Sequence, residues 1–179
     1  MLLTGVFLIL LAAGSTTDIR SRRVPNALVL AMLAGAFVLA STRNDVSAAL
    51  LAAAGAGLLG LALWLPFWLL GLLGAGDVKF FAAGAAWIGP ALTWRAALLA
   101  ALLGGVFALG VLAWRRGSRA AALVLAAQVR DVRQLAVRPS VSVHRMASMD
   151  RTLPYAVPMA VALAVAALWP VLLTGTGAG

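Results

Sequence analysis

Val46 to Leu73 reads VSAALLAAAGAGLLGLALWLPFWLLGLL, a run without one charged side chain and with a single proline, Pro66, near its exit. As an α-helix such a run outreaches the ~20 residues needed to cross a hydrocarbon core of ~30 Å, which marks it as a membrane span and not a core helix of a soluble domain. Working outward, Ala27 to Thr42 and Met1 to Thr17 precede it. Val78 to Pro90, Thr93 to Trp114 and Leu153 to Leu173 follow. Of the 179 residues 64% are hydrophobic, against the ~45–50% usual in soluble domains. The expected fold is therefore all-α: one polytopic membrane helix bundle over 1–179, with about six transmembrane helices. Val78 to Pro90 is short for a span and is expected to be a tilted or re-entrant helix, tolerated through bilayer thinning or burial in protein.

Charge sets the orientation. There are 14 Lys and Arg against five acids, all Asp, for a net charge of +9. Read alone, that balance suits a nucleic-acid partner, but the charges fall in short clusters between apolar runs, so no nucleic acid is expected. With the amino terminus outside, Arg20, Arg22, Arg23, Lys79 and the arginines from Arg115 to Arg151 lie in the cytoplasm, and only Arg43 and Arg95 lie outside. This bias places both termini outside and makes 115–152 a basic cytoplasmic loop in the inner (plasma) membrane. Ala122, Leu125, Ala126, Val129, Val132 and Ala136 recur near helical spacing in that loop. It is either an amphipathic helix on membrane lipids or a solvated charged loop. No positive charge precedes the first apolar run and arginines follow it, which argues against a cleaved signal peptide.

With no cysteine and one histidine, the chain offers no disulfide, thiolate zinc site, thiol nucleophile or histidine metal cage. No cofactor or metal is expected. What remains is acid chemistry. Asp45 lies in a short external turn, Asp131 is flanked by Arg130 and Arg133, and Asp150 precedes Arg151; these read as surface charges. Asp18 and Asp77 each sit at the cytoplasmic end of an apolar span, where an ionisable group is costly unless it is solvated, paired or functional. Asp77 closes Gly74-Ala75-Gly76-Asp77, whose glycines allow a sharp turn and a close backbone approach. Asp18 opens Asp18-Ile19-Arg20-Ser21-Arg22-Arg23-Val24-Pro25-Asn26, with Pro25 and Asn26 as loop punctuation. Helix one runs inward to Asp18, and helix three returns to deliver Asp77 at the same depth. Two carboxylates that meet there share one proton near neutral pH, so that one activates a water while the other polarises a peptide carbonyl. The plainer alternative has Asp18 capping a helix or pairing with Arg22, and Asp77 pairing with Lys79.

These same residues resemble the type IV prepilin peptidase family, grouped with the Gly-x-Gly-Asp intramembrane aspartyl proteases. Asp18 to Asn26 is similar to the family's Asp-x-Arg-x-x-x-Ile/Val-Pro-Asn, and Gly74 to Lys79 to its Gly-x-Gly-Asp-Val-Lys. Leu153-Pro154-Tyr155 is similar to the Pro-Tyr start of its last span. The resemblance implies an aspartyl protease that removes a short basic leader from pilin-like precursors at the cytoplasmic face, for type IV pilus assembly or protein secretion. It carries catalytic roles onto Asp18 and Asp77, with Arg20, Pro25, Asn26, Gly74, Gly76, Lys79, Pro154 and Tyr155 as motif support. Larger members add a cytoplasmic region with paired Cys-x-x-Cys zinc sites that methylates the product. This chain resembles the short, peptidase-only members of Tad/Flp or archaeal-type systems, and no N-methyltransferase activity is expected. Ala156 stands where the family usually has glycine. The competing class is a carrier or a scaffold subunit of a secretion machine; carriers usually place acids near the midplane and show internal repeats, and neither pattern is visible here.

Overall fold

The computed structural model describes residues 2–21, 24–69, 73–116 and 155–174, all in helices or short connections between them. The helices are α1 (Leu2–Ser21), α2 (Asn26–Ser41), α3 (Val46–Leu69), α4 (Ala75–Ile88), α5 (Pro90–Arg116) and α6 (Ala156–Thr174). Among the described residues three stretches are long and apolar enough to cross a membrane: Leu2–Ser21, Val46–Leu69 and Pro90–Val111. The basic segment beyond Arg116, Arg22, Arg23, His144 and Pro154 lies outside the described residues.

Helix ends depart from the apolar runs in ways that local chemistry explains. α1 continues to Ser21, past the Thr17 boundary, because its polar residues bond back onto their own helix: Ser15 Oγ donates to Leu11 O, and the Thr17 hydroxyl to Ala13 O and Gly14 O. Such back-bonding satisfies the hydroxyl without ending the helix. Pro90 opens α5 instead of closing the preceding span, as suits a residue with no N–H to leave unpaired in a first turn. The break before it is Gly89, at φ +77°, whose N–H donates to Ala85 O. That left-handed backbone is cheap only for glycine.

α4 is the centre of the bundle. Its 14 residues span only about 21 Å at 1.5 Å each, less than a hydrocarbon core, yet it packs against α1, α2, α3, α5 and α6, most extensively against α3. From Phe80 to Ala86 every residue is buried. A helix apolar on all faces is one enclosed by protein or lipid, and here protein encloses it, which is why a short segment suffices. Small residues permit close approach between helices. Gly60 of α3 faces Ala82 and Ala85, and Gly84 receives Leu163 of α6.

The register of α1 against α4 is set by two aromatic side chains. Trp87 stacks on Phe7 at 4.9 Å between ring centroids, docks against Gly35, and donates its indole N–H to Met32 O at 2.7 Å. Two turns nearer the start of α4, Phe80 lies against Gly14. The helices therefore run antiparallel with 7 opposite 87 and 14 opposite 80, and the next turn brings 18 opposite 77. A third aromatic contact, Trp64 edge-on to Phe81 at 5.6 Å, holds α3 in place; the buried Trp64 indole N–H finds no acceptor among the described residues.

Candidate active site

Asp18 and Asp77 are both buried, at 5% and 9% exposure, although each belongs to a residue type rarely buried without a partner. Asp18 lies in the last turn of α1 and not in the loop after it. Asp77 lies in the first turn of α4, so the loop and start of α4 deliver it, not the end of α3. The contact of Gly14 with Phe80 sets the two acids on facing turns of α1 and α4, and the bond from Ala156 N–H to Asp18 brings the start of α6 beside them. Three elements far apart in sequence thus converge on one end of the bundle.

Asp18 Oδ2 accepts a hydrogen bond from Ala156 N–H at 3.2 Å. The donor is the first residue of α6, one of the N–H groups that a helix leaves unsatisfied and that carry its positive end. Asp18 does cap a helix, as the plainer alternative had it, but a distant one, and only Oδ2 is engaged among the described contacts. This bond ties the end of α1 to the start of α6. Tyr155 precedes that start and lies over Gly104 of α5, whose missing side chain leaves room for the ring.

Asp77 accepts a backbone hydrogen bond from Gly74, the extended residue that begins α4 (φ −74°, ψ 144°). A Cβ on Gly74 would lie 3.1 Å from Asp77 Oδ2, a tight contact, so glycine here makes room for the carboxylate. Neither Gly74, extended at the N-cap, nor Gly76, inside the helix, has positive φ. At Gly76 a methyl would meet Val24 N at 3.6 Å, an ordinary contact. What Gly76 does is lie beneath Val24, so that the segment after Asp18 rests on the first turn of the helix that carries Asp77.

The remaining motif residues divide. Pro25 is the N-cap of α2, its carbonyl accepting from Leu28 and Val29 N–H, and Asn26 follows as the first helical residue. Lys79 and Arg20 are exposed. Each sits two residues from an acid on a helix, and side chains at that spacing point to different faces, so Lys79 is not placed to neutralise Asp77. Asp45, at the opposite end, caps α3: its Oδ1 accepts from Ser47 Oγ at 2.8 Å and Ala48 N at 3.0 Å, and these bonds hold its carboxyl below the usual range. Gly14, Phe80 and the Ala156 N–H are parts of the site that sequence reasoning passed over.

Helices of spanning length, with two buried carboxylates on facing turns at one end, define a polytopic membrane protein with two buried acids. A family model for the type IV leader peptidases matches residues 5–109, which take in both acids and most of α1 to α5. The chain belongs to the type IV leader peptidase family, and its activity is that of a membrane peptidase. No curated protein and no solved structure matches it.

Proposed function

We propose that this protein is a membrane aspartyl endopeptidase that cuts the basic leader from pilin-like precursors at the cytoplasmic face, with Asp18 and Asp77 as its catalytic residues. The observation that supports the reading is the pair of buried carboxylates, delivered by α1 and α4 on facing turns at one end of the bundle. One carboxylate takes a proton from water as that water attacks the scissile carbonyl. The other holds the shared proton against the carbonyl oxygen, and a proton then passes to the leaving amine, which completes hydrolysis. The chain acts as one domain with six spans, both termini outside and the basic 115–152 loop in the cytoplasm. Co-expression with a precursor that carries a basic leader before an apolar helix tests the activity directly, as a shift to the shorter product on a gel.

The topology has its own test. Reporter fusions after Arg23 and within Arg119 to Arg145 are expected to report cytoplasm, and fusions near Asn44 and Pro90 the opposite side. An extracytoplasmic signal after Arg23 would part the acids from a cytoplasmic leader and end this reading. Cleavage by the purified protein is expected to persist in EDTA and in thiol reagents, since two carboxylates and water complete the reaction. Activity lost on chelation and restored by a divalent metal would contradict the mechanism.

A further inference from the structure

At the end of the bundle opposite the acids, α5 and α6 line a cleft of about 220 Å³. Its walls are apolar: Leu92 and Leu99 on α5 face Val165 and Ala166 on α6, and Trp169 closes one side. Among the described residues Arg95 is the one charged side chain on the lining. The volume falls short of the ~300–1,000 Å³ of sites that enclose a drug-sized molecule, and the walls run along two helices, a shape suited to a hydrocarbon chain.

Arg95 has no carboxylate to answer it among the described residues. Asp18 and Asp77 are at the far end of the bundle, and Asp45 is bonded to the first turn of α3. The Arg95 guanidinium carbon instead lies 5.6 Å from the centroid of the Trp94 ring. Trp94 and Trp169 are each 48% exposed. Half-exposed tryptophans at the ends of spans mark the level of the lipid headgroups, where their amphipathic rings are at ease. An arginine at that level reaches from an apolar stem to a polar head, and its guanidinium matches phosphate oxygens in bidentate geometry.

We propose that this cleft is a binding site for an anionic phospholipid, with one acyl chain along Leu99 and Val165 and the headgroup phosphate on Arg95. Charge complementarity selects the occupant. A zwitterionic headgroup offsets its own phosphate, and free phosphate has no chain for the apolar walls.

Native mass spectrometry of the purified chain in a neutral detergent tests this, with phosphatidylglycerol, phosphatidylcholine and inorganic phosphate as the probes. Phosphatidylglycerol is expected to bind most tightly, and Arg95→Gln to weaken it by about tenfold, as for loss of a charge-assisted contact. Arg43→Gln removes a charge at the same end but outside the cleft, and is expected to leave binding unchanged. Val165→Trp fills the cleft from a residue already 39% exposed, so the fold is kept while lipid binding falls with Arg95 intact. Equal retention of the two lipids, or phosphatidylglycerol binding indifferent to both Arg95→Gln and Val165→Trp, would overturn the site. So would saturable binding of inorganic phosphate alone, or a dimer that Val165→Trp dissolves, which would assign the face to a second copy of the chain.

Discussion

Asp18→Asn and Asp77→Asn are each expected to abolish precursor processing while the protein remains inserted and abundant. Asparagine keeps the volume and can still accept from Ala156 N–H or Gly74 N–H through its amide oxygen, so the backbone bonds that hold the two positions survive. What it removes is the group that takes or shares a proton. Because both acids act in one step, the double variant is expected to be no worse than either single one, as for residues of a catalytic unit. Asp45→Asn serves as the control at the far end. Its carboxylate caps α3 in the open, and the amide can take over that role, so processing is expected to stay near wild type. Asp131→Asn and Asp150→Asn are expected to behave likewise. Near wild-type cleavage by either Asp18→Asn or Asp77→Asn would end the paired-acid mechanism and favour a carrier or scaffold role.

How much of this was legible in the sequence follows from the range of the interactions involved. Run length and the absence of charge disclose helices such as Val46–Leu69, because the bilayer imposes a fixed length on any span. The buried acids stand out for a similar reason: a carboxylate beside an apolar run is conspicuous wherever it occurs. Contacts between elements leave a weaker trace. The bond from Ala156 N–H to Asp18 joins residues 138 positions apart, and a backbone donor has no side-chain letter to betray it. α4 looked like a marginal span because hydropathy does not distinguish enclosure by lipid from enclosure by five helices. Helix α1 runs past the apolar boundary at Thr17, where Ser15, Thr16 and Thr17 bond back within the helix, an effect that hydropathy does not register. Gly14 did carry a signal, being one turn before Asp18 on the same helix face and so a place where a neighbour can come close.

Gly14→Leu is expected to lower processing by about a hundredfold or more, on the scale of catalytic groups displaced by ~1 Å. Any Cβ on Gly14 would run into the Phe80 ring, and Phe80 is wholly buried, so it has no free space to swing into. The helices must part or rotate at that turn. Asp18 lies four residues beyond Gly14 on α1, and Asp77 three before Phe80 on α4, so the displacement falls on the spacing of the two carboxylates. Stability is expected to change less than activity, since overpacking costs ~1–3 kcal/mol while replacing a mid-helix glycine returns up to ~1 kcal/mol of helix propensity. Gly5→Leu separates the two effects, because on the same helix a Cβ at Gly5 meets nothing within 4 Å; it is expected to process at the wild-type rate. Adding Phe80→Ala to Gly14→Leu removes the colliding ring and is expected to restore part of the lost activity, as coupled neighbours do in a double-mutant cycle. If Gly14→Leu cleaves as fast as Gly5→Leu, the Gly14–Phe80 contact does not set the distance between the acids.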